Sequence, residues 1–371
     1  MIIRGSCKKE RAENELADGL TSITVERRAA FSTKRIRSSV DESVRKNDPK
    51  LWNRARMFIR SINQRYVNSI NTVHLIDVFE IDLHDLWYLF IETAKITPAN
   101  EAETDRLVNQ VIYARELGEI SRIVVPPAGE SNQNQSGKQQ NVQVESAITS
   151  TSARIWIDLP FLVTDLRDVW ATSMMKMTMV ELENLAGFTA LLAALGVCDS
   201  ELMSCALMLF REALETPRQL LESDAVLIAD HANEIPLSEF LPAVLAWLWY
   251  GSYKILSLCA RNEFSFKDDY ASDNREWAEA GQLIEASGER QQSGFNMRRW
   301  EFWKDRLEKV SQNTESEIVA EQGRKCVHIF ESWEHIAGGR RHDREIARDA
   351  FSEKVSARRK QWVDKFVTEA D

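Results

Sequence analysis

Three groups of residues in this 371-residue chain have the types and spacing that chemistry requires. The first is Asp268, Asp269 and Asp273, carboxylates close enough in sequence to share an Mg²⁺ ion and hold a diphosphate against it. Firm Mg²⁺ binding needs a second ligand set, and no downstream segment supplies one. Ala271, Ser272 and Asn274 make the stretch read as a solvated polar turn. The second group is His328, Glu331 and His335, which one helix would turn to a single side, as a metal site requires. On the opposite side of that helix fall Cys326, Phe330, Trp333 and Ala337. If that stripe enters a core, the histidines face water. The third is "GFNMRRWEFWKDRLEKV", residues 294–310, where aromatics stand among basic side chains as they do in surfaces that grip nucleic acid.

The third group resolves into a helix start. With Asn296 at the N-cap, Phe295 precedes the cap and Trp300 falls on the fourth helical position, the two places of a hydrophobic staple. Trp300, Trp303, Leu307 and Val310 then form one seam that a core would bury. Arg298, Arg299, Lys304, Arg306 and Lys309 are interleaved with Glu301, Asp305 and Glu308, so they read as a mixed, solvated charge pattern rather than a basic stripe. The chain has no HExxH, no GxSxG, no glycine-rich phosphate loop and no paired CxxC. The sequence therefore assigns no catalytic, cofactor-binding or metal-binding residue and implies no cofactor.

The elements around these groups are helical. "NDPKLWNRARMFIRSINQRY" opens with Asp48 as a cap and Pro49 at the first helical position, then sets Trp52, Ala55, Ile59, Ile62 and Tyr66 along one face. Leu83, Leu86, Trp87, Phe90 and Ala94 form a second stripe before a restart at Thr97-Pro98, and Leu107, Val108, Val111 and Ile112 form its partner up to Gly118. Thr178 and Glu181 make a capping box for "VELENLAGFTALLAALG", which is apolar nearly all round and belongs inside a bundle. The expected architecture is all-α: an irregular multi-helix bundle over 48–371, preceded by a disordered basic arm over 1–47 and interrupted by a flexible polar insert over 126–153. A C-terminal amphipathic helix over 339–371 presents Ala347, Phe351, Val355, Trp362 and Phe366.

Composition narrows the function classes. Apolar residues make up 44% of the chain, enough for a real core, and 14 Gly with 8 Pro against 11 Trp and 15 Phe favour long helices over many short strands. The net charge of -10 is concentrated between Trp156 and Tyr250, where four basic residues face fourteen acidic ones. An acidic middle repels phosphate, so no nucleic-acid partner is expected. Cys7, Cys198, Cys205, Cys259 and Cys326 are scattered and odd in number, as reduced cytoplasmic or nuclear thiols are. Phe240–Ala260 is apolar enough to raise the question of a membrane span, but Pro242, Gly251, Ser252 and Lys254 favour a buried globular helix, and no span is expected.

The segments "LWYLFIETAK", "RLVNQVIYARELG", "WIDLPFLVTDLRDVW", "LENLAGFTALLAALG", "FREALE" and "GFNMRRWEFWKDRLEKV" together resemble a fungal family catalogued only as a domain of unknown function, over Leu83 to Val310. The resemblance implies an intracellular helical protein with no activity or cofactor attached. The functional expectation is a non-enzymatic interaction or scaffold protein, with the C-terminal helix over 339–371 as the surface for a protein partner. The alternative is a small-molecule-binding protein or enzyme using an apolar cavity between helices, with Asp268, Asp269 and Asp273 or the Trp247-Trp249-Tyr250 cluster near its mouth.

Overall fold

The computed structural model describes residues 33–48, 50–69, 75–124, 143–220, 235–263, 278–286 and 293–338. The aspartates Asp268, Asp269 and Asp273 and the C-terminal segment 339–371 lie outside the described residues, as does Pro49. The fold is all-α, with one two-stranded sheet among the described residues. The chain divides into two compact units, 1–205 and 206–371.

In the first unit, helix α1 occupies 33–45 and shortens the arm expected over 1–47. Polar contacts hold it, which apolar periodicity cannot show. Arg37 pairs with the buried Asp85 at 2.9 Å, Tyr88 donates to Asp41, and Val40 is buried. Helix α2, Leu51–Asn68, buries Leu51, Ala55, Ile59, Ile62 and Tyr66 on the expected face. It starts two residues beyond the expected position, because the Asp48 carboxylate accepts the Lys50 N–H outside the helix.

Helix α3, Leu75–Ile96, is the centre of this unit and packs against α2, against α5 (Leu162–Ser173) and against α6 (Met179–Ala194). Leu83, Leu86, Trp87, Phe90 and Ala94 are all buried. Helix α4, Ala102–Glu116, turns back at Thr97-Pro98 and buries Leu107, Val108 and Val111. The capping box at the start of α6 is complete: Glu181 N donates to the Thr178 hydroxyl, and Thr178 N donates to the Glu181 carboxylate.

Asn184 is the polar exception on α6. Its side chain accepts the Ala99 N–H at 3.1 Å and donates to the Lys95 carbonyl at 2.9 Å, tying α6 to the α3–α4 joint. Gly187 lies one turn further along. A Cβ there would stand 2.5 Å from the Ala99 Cβ and 3.3 Å from its Cα, so the close approach of α6 to this joint depends on glycine despite its cost in a helix interior. Gly187→Ala is expected to destabilise the protein by about 1–3 kcal/mol, read as a lower urea midpoint, where the same change at an uncrowded helical glycine would stabilise it.

The polar stretch expected as an insert over 126–153 takes up structure in its last part. Strand β1, Ser121–Val124, pairs antiparallel with β2, Gln143–Ser146, with Arg122 opposite Glu145 and Ile123 opposite Val144. Arg122 pins the ribbon, since its guanidinium meets Glu145 at 2.6 Å, donates to Ser69 Oγ and lies over the Tyr66 ring.

In the second unit, helix α8, Leu237–Arg261, packs against α10 (Met297–Asn313) and α11 (Glu317–Gly338), which also pack on each other. Helix α7, Asp199–Phe210, carries the division between the units and runs into a π-helical turn, Arg211–Glu215. That turn packs against α8, α10 and the short α9, Gln282–Ala286. The stretch suspected as a membrane span is α8, whose buried residues include Phe240, Val244, Trp247 and Leu248. No described helix is long and apolar enough to cross a membrane.

Candidate functional site

The segment 294–310 builds the interior of the second unit. Asn296 is the N-cap of α10, its side chain accepting the Arg299 N–H at 2.9 Å, and Trp300, Trp303, Leu307 and Val310 are buried along the seam. Phe295 sets its ring edge-on to Trp303, with 6.2 Å between centroids. Trp300 packs on Phe330 of α11 at 4.3 Å, and its indole N–H donates to Glu334, which also holds Lys304. With both indoles sealed, neither can stack on a base.

One residue of this stretch departs from expectation. Arg299 is not a solvated charge; it is fully buried, and so is Glu215 at the end of the π-helical turn. A π turn takes one residue more than an α turn, which swings the side chain closing "FREALE" toward α10. Glu215 Oε1 accepts from Arg299 Nε and Trp303 Nε1, each at 2.7 Å. Its Oε2 accepts from Arg299 Nη2 at 2.9 Å and from the Gly281 backbone N–H at 2.7 Å. Arg299 Nη1 donates to the carbonyls of Ala278 and Gly294 at 3.0 and 2.7 Å. The two-pronged charge pair thus fastens four chain segments at one point. Gly281 permits the approach, since a Cβ there would sit 2.6 Å from the Glu215 Cβ and 2.8 Å from its carbonyl oxygen. A carboxylate so saturated and sealed cannot serve as a base for an outside reactant; its chemistry is structural.

The signal for this clamp was present in the sequence. Arg299 lies one turn before Trp303 on the seam side of its helix, where an unpaired charge would be too costly to bury. The partner 84 residues away is what sequence spacing cannot supply.

Among the described residues the other candidates do not assemble into a site. His328, Glu331 and His335 are exposed, while Cys326 and Phe330 on the opposite side are buried and Trp333 is half-buried. Among the described residues no group of three or more His, Cys, Asp or Glu is placed to hold a metal ion. The cluster Trp247-Trp249-Tyr250 separates, because Trp247 is fully buried, Tyr250 half-buried and Trp249 68% exposed. Cys198, Cys205, Cys259 and Cys326 are free. Burial pushes the Cys198 thiol up to about 11 and the Cys205 and Cys326 thiols up to about 12, which removes them as thiolate nucleophiles near neutral pH.

Two surface features remain. On α8, Trp249 and Tyr253 stand one turn apart, 68% and 53% exposed, and Tyr253 meets the Trp333 ring of α11 at 5.5 Å. In the first unit, His84 Nδ1 lies 2.9 Å from both oxygens of Asp165, and its ring stacks on Phe161 at 4.2 Å. Leu159 and Phe161 both have positive φ, +46° and +69°, a strained pair around Pro160, whose carbonyl accepts the Trp87 indole N–H at 2.7 Å.

The hydrogen bond that His84 Nδ1–H donates to the Asp165 carboxylate raises the His84 pKa above its ordinary value, with burial and Arg37 opposing and Asp85 assisting. A group whose folded pKa is raised contributes stability fully below its unfolded pKa, near 6.5, and loses it as pH rises through the folded value. The urea midpoint of the wild-type protein is therefore expected to fall, relative to that of His84→Gln, as pH rises above about 6.5. Parallel pH dependences of the two proteins would refute the coupling.

Fold and clamp together define an all-α protein whose second unit is organised around a buried, fully hydrogen-bonded charge pair. Residues 87–307 match the family described as "Protein of unknown function (DUF3632)", and the chain belongs to that family. The matched span contains every member of the clamp, from Glu215 through Gly281 to Trp303. The Oxopyrrolidines biosynthesis cluster protein G of Penicillium oxalicum is 27% identical over 282 residues, covering 75% of this chain and 72% of that protein. No solved structure matches the chain significantly.

Proposed function

We propose that the protein is a non-enzymatic interaction protein, a helical scaffold that offers the aromatic face of α8 and α11 to an amphipathic helix of a partner. The observation that carries this reading is the exposure of Trp249 beside Tyr253, next to the Tyr253–Trp333 contact. Large aromatics grouped on a surface are the usual anchors of protein contacts, because they bury much area at little conformational cost. An apolar helical stripe is the chemistry that fits such a face. The buried charge pair is engaged in holding the unit together, and the four cysteines among the described residues, all free, suit the reducing conditions of cytoplasm or nucleus.

A second reading is favoured by the name of the Penicillium relative, which ties that protein to a biosynthesis cluster for oxopyrrolidines. Carried to this chain, it supports a role in small-molecule metabolism as a binder or enzyme. Capture of the tagged full-length protein from native lysate, with mass spectrometry of both proteins and small molecules, separates the two. The interaction reading expects a protein retained by the wild type and lost with Trp249→Ala/Tyr253→Ala. A metabolite that co-purifies equally with both, with no partner dependent on Trp249, would establish the second reading in its place.

A further inference from the structure

The aromatic face on α8 and α11 lies where the described chain stops. Trp333, whose ring meets Tyr253, is five residues before Gly338, the last residue of α11, so the helix ends roughly 7.5 Å further along its axis. The sequence beyond that point is not a neutral tail. Residues 339–371 begin with a glycine that, with Gly338, makes a pair able to reverse direction, and continue with Ala347, Phe351, Val355, Trp362 and Phe366 at helical spacing among charged residues. An amphipathic helix of that length is marginal in water unless its apolar stripe is buried.

Reach and length agree with a nearby surface. Residues 339–346, extended, span up to roughly 25 Å. A helix over 347–366 would run roughly 30 Å, within the length of α8, Leu237–Arg261, which carries Trp249 and Tyr253. The stripe has the same chemistry as the partner helix the face is suited to, and being tethered beside it, it competes at the high effective concentration of an intramolecular ligand.

We propose that residues 347–366 fold back as an amphipathic helix onto the α8–α11 face of their own chain, seating Phe351 and Trp362 against Trp249, Tyr253 and Trp333. This rests on the reading of that face as the contact surface and adds its regulation: the surface is self-occupied, and a partner gains it by displacing the segment.

The test uses the full chain, folded intact, with a protease site inserted between Gly338 and Gly339 and cut after folding. The cleaved segment is expected to co-elute with the body on gel filtration, and Trp249→Asp or Tyr253→Asp is expected to weaken its retention by roughly thirty-fold, as loss of a central aromatic anchor does. Phe351→Asp/Trp362→Asp, which leaves the body untouched, should release the segment equally and carries the test if a body variant misfolds. Release of the segment from the unsubstituted protein would overturn the proposal, as would retention despite the Phe351/Trp362 change. A particle of twice the mass that depends on Trp249 would overturn it too, by giving the face to a second copy. Segment retention without any Trp249-dependent partner in the capture experiment would sink the partner reading alone, and release of the segment from the isolated, unsubstituted protein, together with a Trp249-dependent partner in the capture experiment, would sink the fold-back alone.

Discussion

Arg299→Met is expected to lower the stability of the protein by about 3–5 kcal/mol, the cost of leaving one member of a buried charge pair without the other. The geometry makes the upper part of that range the expected one. Methionine removes both prongs from Glu215, takes the Arg299 donor from the Gly294 carbonyl and leaves the Ala278 carbonyl with the Gly294 N–H alone. Glu215 would keep only the Trp303 indole and the Gly281 N–H. Against a total stability of about 5–15 kcal/mol for a typical domain, the loss should be visible as a large drop in urea midpoint. Adding Glu215→Leu removes the stranded charge, and in many proteins an apolar replacement of a buried pair restores stability. Here recovery should be partial, because Trp303 Nε1, the Gly281 N–H and the Gly294 carbonyl would still lose the partners they have in the clamp. A double variant as stable as wild type would show that the clamp adds nothing to holding these segments.

Legibility in the sequence tracks the range of the interactions. The seam Trp300, Trp303, Leu307 and Val310, the Thr178–Glu181 box and the all-round apolar α6 are local patterns, set by helical spacing alone, and the structure places each as expected. Helix α1 escaped because it is held by Arg37 on Asp85 and by Tyr88 on Asp41, contacts spanning 48 and 47 residues. The β1–β2 ribbon escaped because its two strands are four residues each and their alternation is dominated by the pinning of Arg122. The clamp was the largest omission. Each half lies in a segment that carries the family resemblance, "FREALE" and "GFNMRRWEFW", but local spacing does not show why the two belong together. Periodicity puts Arg299 on the inner side of α10, but only the fold says which carboxylate meets it.

Trp303→Ala is expected to cost about 3–5 kcal/mol, the range for emptying the space of a large buried aromatic, and the phenylalanine variants show what part of that belongs to the clamp. Trp303 is fully buried, packs edge-on to Phe210 at 5.0 Å and donates its indole N–H to Glu215. Trp247 on α8 is equally buried, but its indole N–H has no hydrogen-bond partner among the described residues. Replacing either by phenylalanine removes a similar volume from a core. Only at Trp303 does it also break a hydrogen bond to a buried carboxylate, an interaction worth about 1.5–3 kcal/mol. At Trp247 the same change deletes a donor that already carried a desolvation penalty, which offsets part of the lost packing. The urea midpoint should therefore fall much further for Trp303→Phe than for Trp247→Phe. In the Arg299→Met background the gap should widen, since Trp303 is then one of two donors left on Glu215. Equal losses at the two tryptophans would mean that ring volume alone decides their contribution, and that the indole bond to Glu215 is incidental to the stability of the second unit.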